Sequence, residues 1–85
     1  MGEEMNFGDA LAHLRYRKKL ARVGWHGKGM YLELQTPDEN SKMTLPYIYI
    51  NIPFEDDDGK TGGVNRVPWL ASQTDLLAED WSIIV

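Results

Sequence analysis

Met30-Tyr31-Leu32-Glu33-Leu34-Gln35 and Tyr47-Ile48-Tyr49-Ile50-Asn51-Ile52 alternate, residue by residue, between aliphatic and polar or aromatic side chains. Successive side chains of a strand point to opposite faces, so each run reads as a strand with its Met, Leu and Ile residues turned inward. Pro46 and Pro53 bracket the second run, as suits the two ends of a strand. The outer face of both runs carries tyrosine beside polar residues where a lone solvated face would carry charge. Tyrosine is enriched at interfaces, so this face points to self-association.

Working outward, Asn6 is placed to cap a helix, with Asp9 favourable in its first turn. Phe7, Ala10, Leu11 and Leu14 then follow helical spacing, which predicts a helix over residues 7–19. Leu20-Ala21-Arg22-Val23 reads as a short strand leading into a glycine turn at residues 24–29, and residues 36–42, polar with Pro37, as a loop. Residues 55–63 are acidic and glycine-rich, which predicts an exposed loop, and residues 65–69 a short extended piece. Ser72 with Asp75 three residues on marks the start of a helix through Ala78, and residues 81–85 form a closing strand. The fold class is α+β: one N-terminal helix on a small, mostly antiparallel sheet, plus a short C-terminal helix, in a single domain over residues 1–85.

Composition limits what such a domain can be. Its 85 residues include no cysteine, so no disulfide staples a thin core, which fits a reducing cytosol. Self-association is a common remedy in a domain this small. No apolar run approaches a membrane span and no signal-peptide pattern opens the chain, so a cytoplasmic protein is expected. Met5 is an alternative start to Met1. The net charge of −4 is uneven: residues 1–28 carry six bases against three acids, and residues 29–85 three bases against ten acids. The basic stretch reads either as a solvated helix end or as a local anion site. The acidic remainder repels long polyanions, so neither DNA nor RNA is an expected partner, whereas a small phosphorylated ligand is compatible.

Several familiar motifs fail. Gly59-Lys60-Thr61 imitates the end of a phosphate-binding loop, but Phe54 stands where its first glycine belongs. Asp56, Asp58 and Gly59 echo a calcium loop, with Phe54 and Asn65 in positions that need carboxylates. His13 and His26, with no cysteine and no metalloprotease spacing, give no basis for zinc. A Ser72/His26/Asp75 triad can be written down, but Ser72 and Asp75 are already explained as cap residues. No metal or cofactor is expected, and the chain does not read as an enzyme.

Two segments do concentrate groups able to hold a nucleotide. In Ala21-Arg22-Val23-Gly24-Trp25-His26-Gly27-Lys28-Gly29-Met30, an indole, an imidazole and an ammonium fall within four residues of a glycine turn whose amides can cradle an anion. In residues 67–81, a helix start offers free N–H groups beside Ser72, Gln73, Thr74 and Asp75. Plainer roles are open for each: Trp25, Trp69 and Trp81 as core, Lys28 as surface charge, Ser72 as cap. The chemistry alone stops at a small α+β binding domain.

These residues also carry a resemblance. Met5-Asn6-Phe7-Gly8-Asp9-Ala10-Leu11, the Ala-Arg-x-Gly-Trp-x-Gly-Lys-Gly-Met stretch at 21–30, and Pro68-Trp69-Leu70-Ala71-Ser72-Gln73-Thr74-Asp75-Leu76-Leu77-Ala78-Glu79-Asp80-Trp81 are together similar to the second Thoeris anti-defence family of phages and prophages. Residues 37–63 match it weakly. The resemblance implies a sponge: a homo-oligomer, typically a homotetramer, that sequesters a cyclised ADP-ribose isomer, in some members cyclic oligonucleotides, without cleaving it. It implies a pocket between subunits, with adenine on Trp25 or Trp69, phosphate at Lys28 or Arg22, and hydroxyls at Gln73, Thr74 and Asp75, His26 adding a hydrogen bond. The other readings are a small phosphodiesterase or nucleotide hydrolase, and a phage accessory protein that inhibits a host protein through its acidic loop.

Overall fold

The computed structural model describes residues 4–25, 29–57, 59 and 61–84, Thr61 by its backbone alone. Helix α1 spans Phe7–Arg15, strand β1 Lys19–Arg22, β2 Tyr31–Gln35, β3 Tyr47–Glu55 and β4 Thr61–Pro68, then α2 Gln73–Leu77 and β5 Trp81–Ile84. The strands form one five-stranded sheet in the order β4-β3-β2-β1-β5, each neighbouring pair antiparallel. The last strand therefore lies beside the first. Met5 extends that edge through hydrogen bonds in both directions with the Trp81 backbone, at 2.8 and 3.0 Å.

The alternating runs decide which face carries the core. Leu32 pairs with Ile50 and Leu34 with Ile48, so their side chains share one face with Leu20, Trp81 and Ile83. Helix α1 lies on that face through Ala10, Leu14 and its half-buried Phe7 and Leu11. Fully burying a leucine-sized side chain contributes about 1.5–3 kcal/mol. The Asn6 side chain accepts a hydrogen bond from the Asp9 amide at 2.9 Å, which is the expected cap.

The helix is shorter than its predicted 7–19. It ends at Arg15, with Tyr16 as cap and Arg17 left-handed at φ 65°. The Lys18 amide turns back onto the His13 carbonyl at 3.1 Å. The apolar spacing runs out there, since the next positions facing the sheet would be Arg17 and Lys18.

The larger departure is β4. Residues 61–68 form a full strand paired with β3 from Thr61 to Pro68, and the expected loop at residues 55–63 gives up Glu55 to β3 and residues 61–63 to β4. Pro53 lies inside β3 opposite Val64, two residues past Asn51, the last β3 residue paired with β2, where it interrupts no ladder on that side. The glycines here admit an aromatic ring: a side chain at Gly62 would come within 2.7 Å of Phe54 Cε2, and Gly63 has φ 138° beside the irregular pairing at Phe54 and Glu55. Glycine weakens a strand pattern in sequence, and here it makes the strand possible.

The face without the helix carries a polar network. The Tyr49 hydroxyl donates to Glu33 Oε2 at 2.6 Å, the Asn51 amide donates to Glu33 Oε2 and to the Tyr31 carbonyl, and Arg66 Nε donates to Asn51 Oδ1 at 2.8 Å. Asn51 is fully buried, its amide satisfied on both sides. Burial, reinforced by the bond to Glu33, pushes the Tyr49 phenol up to about 12. Tyr49 therefore contributes stability that is complete below pH about 10 and is lost as pH rises toward about 12. Phenolate absorbance is expected to show one tyrosine ionising late, and Glu33→Gln to move it back toward the ordinary range. If all tyrosines ionise together in the wild type, this network does not form in solution.

Candidate functional site

Trp81 is the centre on which both candidate segments converge. It is fully buried, with the rings of Phe7 at 5.3 Å, Trp25 at 5.4 Å and Trp69 at 5.9 Å. Trp25 and Trp69 both meet it edge to face, the arrangement the ring quadrupole favours. Trp25 closes a single 3-10 turn, Val23–Trp25, directly after β1, and is half-buried. Trp69 follows β4, held by its amide on the Ile48 carbonyl at 3.0 Å.

Ion pairs lock the two segments together. Arg22 Nε donates to Asp80 Oδ1 at 2.8 Å and Nη1 to Asp75 Oδ1 at 2.9 Å. The other Asp80 oxygen accepts the Gly24 amide at 2.8 Å, and the Asp80 carbonyl accepts the Val23 amide at 2.9 Å. Asp75 is also the third residue of α2 and completes a reciprocal capping box with Ser72. Its carbonyl accepts the indole N–H of Trp81 at 3.0 Å.

The electrostatics follow from these contacts. Hydrogen bonds donated to Asp80 and then to Asp75 raise the Arg22 guanidinium above its ordinary range against the desolvation that would lower it. The Arg22 hydrogen bond holds the Asp80 carboxyl below the usual carboxylate range, partly offset by burial and aided by the Gly24 amide. The Asp80 contribution to stability is therefore present above the ordinary carboxylate range and is lost as pH falls through its depressed value.

Beside this cluster an open cleft of about 460 Å³ runs between α1, the sheet and α2. Phe7, Leu11, Leu34, Ile48, Trp69 and Leu76 make its apolar wall, with Arg15 among its lining residues. A second cleft of about 280 Å³ lies on the helix-free face among Gln35, Tyr47, Tyr49, Arg66, Val67 and Pro68. Tyr47 borders both.

Of the residues singled out in the sequence, Arg22, Trp25, Trp69 and Asp75 come together around Trp81 within one chain. Arg22 and Asp75 neutralise each other there, with Asp80 as third partner. Gln73 and Thr74 stand exposed on α2. His26 and Lys28 lie outside the described residues. Sequence reading missed Asp80, whose one signal was its place beside Trp81 in the closing block, and the Glu33–Tyr49–Asn51–Arg66 network, which was read only as an outer face. Among the described residues no group of three or more His, Asp or Glu side chains is placed to hold a metal ion, and no helix is long and apolar enough to cross a membrane.

Fold and site together define a small α+β domain organised round an ion-paired tryptophan cluster with an aromatic-walled cleft. The sequence profile of the Tad2-like domain, "Thoeris anti-defense 2-like", matches residues 5–84. A curated relative, "Thoeris anti-defense 2" of Bacillus phage SP01, is 39% identical over 88 residues, covering 99% of this chain and 99% of its own length. The chain belongs to this anti-defence family.

Proposed function

We propose that the protein counters Thoeris-type immunity by binding a cyclic nucleotide signal, a cyclised ADP-ribose isomer or a cyclic oligonucleotide, and holding it intact. The observation that carries this reading is the convergence of the Trp25 turn and the Trp69–α2 segment on Trp81, beside a cleft of about 460 Å³. That volume falls in the range of roughly 300–1,000 Å³ typical of small-ligand sites. Trp69, and Trp25 from the neighbouring turn, offer indole surface for an adenine, each such stack contributing about 1–3 kcal/mol. Arg15 by the cleft supplies donors and positive charge for phosphate, a role also expected of His26 and Lys28, which lie outside the described residues, and Gln73 and Thr74 supply partners for hydroxyls. Arg22 and Asp75 act differently from a direct contact: each already satisfies the other, so they hold the walls. Sequestration needs tight capture and slow release with no strained transition state, which agrees with a site organised for rigidity.

Self-association completes the reading. The cleft is open in one chain, so a second copy closing it would bury more of the ligand. Leu70, which follows Trp69, and Leu77 on α2 stand exposed at 92% and 77%, apolar surface that a second copy would cover. The partner is thus the cyclic nucleotide and the protein itself, in a homo-oligomer that we infer to be a tetramer, acting in the host cytoplasm without catalysis.

The experiment is to load the protein with the cyclised ADP-ribose isomer, remove free ligand, denature by heat and chromatograph the supernatant. Recovery of the intact compound in stoichiometric amount is expected. A cleaved product would replace capture with hydrolysis, and no retained compound from any cyclic nucleotide tested would remove both.

A further inference from the structure

We propose that Asp80 is the positioning residue of this site: its carboxylate couples the Trp25 turn to the α2 segment, so that ligand affinity depends on a residue that touches no ligand. The inference rests on the binding reading above. Its basis is that Asp80 joins three things no other side chain joins among the described residues. One oxygen takes Arg22 Nε at 2.8 Å, the other takes the Gly24 amide at 2.8 Å, and Arg22 passes the connection to Asp75 at 2.9 Å. Asp75 in turn starts α2 and anchors the Trp81 indole.

The position of these bonds separates positioning from general support. Arg22 pairs with Trp81 across the β1–β5 ladder, so the strands are already held by their backbones. The Asp80 side chain acts one step beyond, where β1 has ended and the Val23–Trp25 turn begins. Gly24 is fitted to it: a side chain there would place its Cβ 3.0 Å from Asp80 Oδ2, tighter than ordinary contact. A side chain at this position would therefore make the carboxylate give by a few tenths of an ångström. Arg22 faces two carboxylates, so removing the Asp80 charge leaves a neutral Arg22–Asp75 pair and no orphaned ion.

Two substitutions break the coupling by different routes. Asp80→Asn keeps the shape but leaves a single acceptor oxygen for two donors, and Gly24→Ala keeps the charge but displaces the carboxylate. Calorimetric titration with the cyclised ADP-ribose isomer is expected to show affinity about tenfold weaker for each, the scale of one charge-assisted hydrogen bond. The double variant is expected to be no weaker than the worse single one, because both act on one contact. Near-ultraviolet circular dichroism of the unliganded variants is expected to lose part of the coupled tryptophan signal while the far-ultraviolet spectrum stays that of the wild type. Unchanged affinity in folded variants, additive losses, or outright unfolding of both would each overturn the positioning role while leaving the binding reading in place. A wild-type protein that binds none of the cyclic nucleotides would overturn both.

Discussion

Trp81→Ala is expected to remove a large part of the protein's stability and to bring its urea midpoint far below that of the wild type. Trp81 is the largest fully buried side chain, and the buried core it belongs to is small: Ala10, Leu14, Leu20 and Leu32 besides itself. Truncating a buried tryptophan to alanine costs about 3–5 kcal/mol, whereas a domain of this length has a total stability of only about 4–13 kcal/mol. The loss here goes beyond volume. Phe7, Trp25 and Trp69 each lose a ring partner at 5.3–5.9 Å, and the Asp75 carbonyl loses its indole donor. Trp81→Phe retains much of the packing and gives up the N–H donor, a smaller deficit of about 1–3 kcal/mol. Urea unfolding followed by far-ultraviolet circular dichroism distinguishes the two. A midpoint for Trp81→Ala close to that of the wild type would mean that the tryptophan cluster is not the keystone of the fold.

Trp25→Ala is expected to have the converse profile, a modest loss of stability and a large loss of ligand affinity. Trp25 is half-buried on a short turn and makes one edge-to-face ring contact, with Trp81, an interaction worth about 0.5–1.5 kcal/mol beyond its buried area. It packs at the margin of the core cluster and is not one of the fully buried members that join α1 to the strands. On the proposed binding reading its remaining indole surface is what a base would stack upon, and losing a stack of about 1–3 kcal/mol lowers affinity roughly 5- to 150-fold. Gln73→Ala and Thr74→Ala, at exposed positions on α2, remove single hydrogen bonds at most and are expected to weaken binding far less.

Much of the fold can be read from local pattern. The alternation at residues 30–35 and 47–52 foretells β2 and β3 and which of their faces is apolar, and the pairing of Leu32 with Ile50 agrees with that polarity. Asn6 and the Ser72/Asp75 capping box mark both helix starts because capping is itself a local interaction. What escaped is non-local. Strand β4 contains Gly62 and Gly63, whose conformational freedom argues against a strand until the Phe54 ring is seen to need the space. Asn51 falls on the polar face by periodicity, yet Arg66, Glu33 and Tyr31 enclose it completely. Arg22 looked like a cation free for phosphate, because its partners lie 53 and 58 residues away. Nothing in the spacing of a sequence announces such a pair. The composition of the candidate site was legible in its tryptophans and its capped helix. Its construction was not, since the two segments meet through an ion pair around a third tryptophan.

Calorimetric titration of the wild type and Trp25→Ala with the cyclised ADP-ribose isomer, run side by side on folded protein, bears most directly on the claim that these segments form a capture site. Saturable binding by the wild type, with affinity at least about fivefold weaker in Trp25→Ala, is the expected result. Equal affinity in the two proteins, or no heat of binding from the wild type with that ligand and with cyclic dinucleotides, would contradict it.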